Sequence, residues 1–163
     1  MEASTSMPAK LAERIEHILI DLHSLTRAEC VLLADISGQL ISIQGGTREI
    51  DPTLMAVLAA ADVVATAELV RQIGGRDPGS ALFRQGRHVN VYLFDVASRF
   101  VLIVIFRAST LAGLVHTFGR RSVEKLRPLA VEFENWADGP TETSNPRFGV
   151  ALVDEMDKAF EGL

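Results

Sequence analysis

One cysteine, Cys30, is too few for a disulfide within the chain and points to a reducing cytoplasm. A basic surplus is also lacking. Sixteen Lys and Arg against 21 Asp and Glu leave a net charge of −5, which argues against a nucleic-acid partner, because phosphate neutralisation needs a basic surface. The densest basic spot is the pair Arg120 and Arg121, which is no phosphate footprint. Long apolar runs are missing too: 54–61 and 100–106 fall far short of the roughly 18 to 20 residues that span a bilayer, so membrane insertion is not expected. The first ten residues show no basic stretch followed by an apolar one, and secretion is not expected either.

Catalytic signatures are equally scarce. There is no G-x-x-x-x-G-K-[ST], no C-x-x-C, no H-E-x-x-H and no G-x-S-x-G. The glycines of "IGGRDPGS" precede a predicted strand instead of following one, so they do not make a strand-to-helix phosphate cradle. His17, His23, His88 and His116 are scattered, and the six-residue step from His17 to His23 is poor for two ligands on one helical face. Cys30 opens an apolar strand, where a buried inert thiol is the common state. No metal, cofactor or catalytic residue is expected, and the chain reads as a regulator or binding protein instead of an enzyme.

What is present is one domain of ordinary size, with 163 residues and 48% hydrophobic content. From Pro8 to Leu25, Leu11, Ile15, Ile18, Leu22 and Leu25 recur at three- and four-residue steps, the spacing of an amphipathic helix. "CVLLADI" and "QLISIQ" flank Ser37-Gly38 and predict a hairpin. "DPTLMAVLAAADVVATAELVRQIGG" predicts a helix capped by Asp51 and Pro52 at one end and by glycine at the other. Three strands follow, "ALFRQ", "RHVNVYLFDV" and "RFVLIVIF"; the last is apolar throughout 100–106 and so needs a layer on each face of its sheet. A third helix carries Leu111, Leu114, Val115, Phe118, Leu126, Leu129, Phe133 and Trp136, with a kink or a split expected at Pro128. The domain is read as 1–137, a turn-rich linker as 138–147, and an amphipathic helix as 148–163, with Val153, Met156 and Phe160 on its apolar stripe.

The helix from Asp51 has too much apolar surface for one domain to cover. On a wheel of about 100° per residue, Leu69, Val70 and Ile73 set a sheet side that extends back through Met55, Leu58, Ala59, Asp62 and Thr66. Asp62 is awkward there and needs a partner. An outer side holds Val57, Ala61 and Val64, running into Glu68, Arg71 and Gln72. Between them, the small residues of Ala56, Ala60, Val63 and Ala67 permit close approach of another helix. The expectations are a twin helix across a two-fold axis and a patch for another protein.

The element order, together with "CVLLADISGQLISIQGG", the Ala-rich second helix and the "VYLF...FVLIVIF...LAGLV" region, resembles the roadblock/dynein light chain family over roughly Pro8 to Trp136. A linker and a short helix after it are similar to the MglB-type members, which partner a Ras-like GTPase of the MglA type. The resemblance implies an α+β fold, α-β-β-α-β-β-β-α, in which a five-stranded antiparallel sheet lies between one helix on one face and two on the other. It implies a homodimer joined through the third strand, with Ala81, Leu82 and Phe83 beside Ala56, Ala60, Val63 and Ala67 in the interface. It also implies a GTPase contact through Val57, Ala61, Val64, Glu68, Arg71 and Gln72 and through Val153, Met156 and Phe160. Such proteins stimulate GTP hydrolysis without lending a catalytic group. The sequence departs from the MglB pattern in the Ala and Val content of the second helix and in Asp62, where an amide residue is typical. Competing readings are a scaffold that tethers a GTPase or kinase and a small-molecule sensory domain.

Overall fold

The computed structural model of the chain describes residues 6–76 and 81–139. The chain divides into two units, 1–133 and 134–163; of the second, the described part is the end of the third helix and the two residues after it. The elements are α1 (Ala9–Thr26), β1 (Cys30–Asp35), β2 (Leu40–Gly45), α2 (Pro52–Gln72), β3 (Ala81–Gln85), β4 (Val89–Val96), β5 (Phe100–Arg107) and α3 (Ala112–Ala137). The five strands form one antiparallel sheet in the order β2-β1-β5-β4-β3, which leaves β2 and β3 at its edges.

Strand alternation builds two cores from this one sheet. Val31 and Leu33 of β1, Phe94 and Val96 of β4, and Phe100, Leu102, Val104 and Phe106 of β5 meet α1 and α3. Cys30, Leu32, Leu93, Val101, Ile103 and Ile105 project to the opposite face and meet α2. β5 is therefore buried from 100 to 106, as its continuous apolar run requires. The arrangement is the expected one helix against two.

Helix α1 buries Leu11, Ile15, Leu19, Leu22 and Thr26, a single stripe at steps of four, four, three and four. Ile18 lies at the margin and Leu25 is exposed, one position off the stripe that the spacing predicts. Helix α3 buries Val115, Val123, Leu126, Leu129 and Ala130. Gly119 lies so close to the Phe94 ring that a Cβ there would collide with it. The predicted split at Pro128 does not occur, and α3 is one helix through it. Pro128 and Glu124 are both exposed, so the carbonyl that loses its intrahelical donor is on the wet side.

Local side chains set the turns. The Asp35 carboxylate accepts hydrogen bonds from Ser37 N (2.9 Å), Ser37 Oγ (2.6 Å) and Gln39 N (2.9 Å), folding the chain between β1 and β2. Gly38 has φ of +92°, and a Cβ there would stand 2.9 Å from Val57 Cα, so glycine is required on two counts. Between β4 and β5, Ala97 and Ser98 both take positive φ (54° and 56°) with Arg99 N donating to Val96 O, the geometry of a type I′ hairpin turn.

Helix α2 is capped as its sequence predicts: the Asp51 carboxylate accepts from Thr53 N (3.0 Å) and Leu54 N (3.1 Å). By length and composition α2 could cross a membrane, with a mean hydropathy of 1.8, although its unbroken apolar runs are short. In this fold it packs on its own sheet through Ala56, Ala59, Ala60 and Val63 and carries an ion-paired aspartate at mid-length.

Candidate functional site

The orientation of α2 corrects the wheel. Ala56 (0% exposed), Ala60 (3%) and Val63 (9%) are the residues pressed on the sheet, with Ala59, and so are not available to a twin helix. Leu58, Leu69 and Ile73, expected on the sheet side, are instead exposed at 56%, 67% and 84%. The physical reason lies in the strands beneath. The sheet already fills the interlayer space with Leu32, Leu93, Val101, Ile103 and Ile105, so α2 fits close to it only through small side chains. Larger residues are displaced to the outside. Ala67 is half-buried.

The outer side is where the sequence places it. Val57, Ala61, Val64, Glu68, Arg71 and Gln72 are exposed, and with Leu54, Leu58, Ala65, Leu69 and Ile73 they make α2 an apolar surface ending in a polar cluster. In that cluster the Glu68 carboxylate accepts from Arg71 Nε (2.9 Å), Arg71 Nη2 (2.8 Å) and Gln72 Nε2 (2.6 Å), and the Arg71 and Gln72 hydrogen bonds hold its pKa below the ordinary glutamate value. The three side chains that follow the apolar patch are thus tied together.

Asp62 finds the partner its position demands. Arg84 of β3 donates to it through Nε (3.0 Å) and Nη2 (2.7 Å), and Thr66 Oγ1 lies 3.4 Å away. The signal for Arg84 was present in "ALFRQ", where alternation puts Leu82 and Arg84 on one face, and an inward charge on an edge strand is a common guard against unwanted pairing. Among the described residues β3 pairs only with β4, along one side, so its other side is a strand edge. On it, Ala81 and Leu82 are half-buried, while Phe83 is 38% exposed and its ring lies 4.9 Å from that of Tyr92, tilted by 38°. Val153, Met156 and Phe160 lie outside the described residues, as do the proposed helix 148–163 and the linker beyond Gly139.

A cleft of about 330 Å³ opens beside the second half of α2, lined by Val63, Val64, Ala67, Leu82, Leu93 and Asp95 among others. Burial raises the pKa of Asp95 above the ordinary aspartate value, against the lowering effect of hydrogen bonds from Ser98. Sequence reading missed this site, because it is assembled from α2, β3, β4 and the β4–β5 turn. Cys30 is fully buried and its thiol is pushed up to about 11, the state of an inert core cysteine and not of a nucleophile. Among the described residues no group of three or more His, Cys, Asp or Glu gathers in a way that could hold a metal ion.

No protein-family model matches the chain, and no curated protein does. Solved structures do. A Roadblock/LC7 domain from Streptomyces avermitilis superposes with a TM-score of 0.60 at 17% identity, covering 69% of this chain and 94% of that one. With the element order and sheet described above, this defines the chain as a roadblock-fold protein. MglB from Myxococcus xanthus matches with a TM-score of 0.72 and 32% identity over 84% of this chain and 99% of its own. The gliding protein MglB from Thermus thermophilus matches with a TM-score of 0.70 and 23% identity, over 81% and 99% respectively. The chain belongs to the MglB family.

Proposed function

We propose that this chain acts as a cytoplasmic homodimer that binds a small Ras-like GTPase of the MglA type and stimulates its GTP hydrolysis. The observation that carries the proposal is the outer face of α2, where Val57, Ala61 and Val64 are exposed in a row and run into the tied Glu68, Arg71 and Gln72. Large exposed apolar surface on a helix that already has its own core calls for a partner. Phosphoryl transfer depends mainly on positioning and electrostatic stabilisation, so a protein without a catalytic side chain accelerates it by holding the GTPase's switch segments in place.

The dimer in this proposal forms through the free edge of β3, with Ala81, Leu82 and Phe83 at the centre and Ala67 nearby. Pairing two copies of β3 across a two-fold axis satisfies the strand-edge N–H and C=O groups and sets the two α2 helices on the same face of a continuous sheet. The exposed Leu58, Leu69 and Ile73 supply the apolar contact that the buried Ala56, Ala60 and Val63 cannot. Val153, Met156 and Phe160, carried on the linker 138–147, provide a second attachment to the GTPase and raise the effective concentration of the first. A role in gliding, the word that the Thermus relative's description uses of that protein, or in cell polarity belongs to the same proposal. Single-turnover GTP hydrolysis by the GTPase, with and without this chain, is the test. Faster hydrolysis supports the proposal, and binding without a change in turnover would instead make the chain a tethering scaffold.

A further inference from the structure

Charge is divided unevenly along this chain. Residues 84–127 hold eight Arg and Lys against two Asp and Glu, whereas the rest of the sequence holds eight against 19, so a segment of net +6 sits in a protein of net −5. Four of those eight cations, Arg120, Arg121, Lys125 and Arg127, are exposed on α3. The one acid between Leu111 and Val131 is Glu124, which Arg127 engages at 3.4 Å. The Arg121 guanidinium lies over the Phe118 ring, 5.5 Å from its centroid, and neither it nor Lys125 forms an ion pair among the described residues. Lys125 follows Arg121 by one turn, so the two share a side of the helix, which runs back through half-buried Phe118 and Leu114 to Leu111, just ahead of α3. Leu111 is 77% exposed and Leu114 39%. The stripe is thus apolar at its start and cationic beyond. α1, the other helix on this face of the sheet, does not cancel the charge, because its exposed Glu13, Glu16 and Asp21 are matched by Lys10, Arg14 and, at its cap, Arg27.

We propose that the outer face of α3 rests on an anionic membrane surface, with Arg121 and Lys125 among the lipid headgroups and Leu111 dipping below them. Helices that lie in the plane of a membrane combine basic and exposed apolar side chains in this way. Each Lys or Arg brought close to an anionic leaflet strengthens binding about fivefold, and salt screens that gain. An acidic protein would satisfy the cations equally well. A protruding leucine, however, needs a ready-made cavity in a protein partner and none in a bilayer, which favours the membrane. The stripe shares no residue with the dimer contact or the GTPase face proposed above, and α3 packs on the side of the sheet opposite α2. Pairing through β3 puts both α3 helices of the dimer on one side of the joined sheet, so two stripes address the surface together. The α2 helices then face away from the bilayer, where a GTPase reaches them unobstructed. The inference goes beyond the GTPase reading and stands without it.

The test is flotation of the full-length chain with phosphatidylcholine vesicles and with vesicles that also contain phosphatidylglycerol, at low and high salt. Three variants are compared with wild type: the double variant Arg121→Gln/Lys125→Gln, Leu111→Ser, and Arg48→Gln, which removes an exposed cation from the loop before α2. Urea midpoint and sedimentation are measured on the same samples. Wild type should float only with the anionic vesicles and should lose that binding at high salt. The double variant should bind about 25-fold more weakly or worse, two residues at about fivefold each. Leu111→Ser should bind about tenfold more weakly, the loss for an apolar side chain partly buried at the acyl boundary. Folding and self-association should be unchanged in both, and Arg48→Gln should bind as wild type does. Wild type that ignores the anionic vesicles, or binds neutral ones equally, overturns the proposal. So does undiminished binding by the folded α3 variants, or an equal loss in Arg48→Gln, which would make overall charge and not the α3 face the cause. Absence of vesicle binding, with retention on poly-glutamate that the double variant loses, assigns the face to an acidic protein and also overturns it.

Discussion

The two faces of the sheet are built on opposite principles. On the α1/α3 face the fully buried side chains are large: Phe94, Phe100 and Phe106 from the strands, with Leu11, Ile15, Leu19, Leu22 and Leu126 from the helices. Charged residues lie on the far side of both helices, and Arg14 of α1 reaches Glu132 of α3 at 2.7 Å. On the α2 face the helix contributes three alanines and Val63, while Leu58, Val64, Leu69 and Ile73 remain exposed. One face concentrates apolar burial in the core. The other holds its helix with little burial and leaves apolar surface available for partners.

The difference is breakable by mutation, and the largest effect belongs to the α1/α3 face. Phe100→Ala, at a ring that is fully buried and packed edge-on against Phe133 at 5.1 Å, should cost about 3–5 kcal/mol. A lower urea midpoint with an unchanged denaturant slope is the expected reading. On the other face, Ala60→Leu enlarges a sheet-facing residue and should cost about 1–3 kcal/mol by overpacking. Unchanged stability in that variant would mean that α2 does not sit on the sheet through its alanines.

That second experiment addresses the part of the fold that sequence reading misplaced. The element order, both faces of β5 and most of the stripes of α1 and α3 were legible, because large apolar residues alternate there with charged ones at a clear period; Leu25 of α1, and Leu111 and Leu114 at the start of α3, were placed on those stripes and are exposed. α2 is apolar nearly all the way round, so its wheel has no contrast to orient it, and residue size suggests the wrong side. Leu58, Leu69 and Ile73 look like core and are exposed; Ala56, Ala60 and Val63 look like an interface and are core. The outer set of Val57, Ala61 and Val64 was legible because it continues into Glu68, Arg71 and Gln72. Alternation within "ALFRQ" signals only the face of Arg84; its pairing with Asp62, like the place of Asp95, depends on distant segments brought together by the sheet.

Smaller effects sharpen the contrast. Asp62→Ala removes a bidentate pair whose arginine is 53% exposed, and solvent screening limits the loss to below about 1 kcal/mol in thermal or urea unfolding. A loss of several kcal/mol would show that the pair does more than neutralise an awkward aspartate. Cys30, buried between α2 and the sheet, should react with a thiol reagent only as fast as the chain opens, and at the ordinary rate once urea unfolds it. Rapid labelling of folded protein would mean that the α2 face is loosely closed. Val64→Arg places a charge on an exposed position and should shift stability by no more than about 0.5 kcal/mol.

Val64→Arg also gives the most direct test of the central claim, that the outer face of α2 exists for a GTPase. Its measurement is the rate of single-turnover GTP hydrolysis by the GTPase with saturating wild-type chain and with the folded variant at the same concentration. The account predicts that wild type accelerates hydrolysis and that the variant, equally stable, leaves the GTPase near its intrinsic rate. Equal acceleration by both proteins would contradict it.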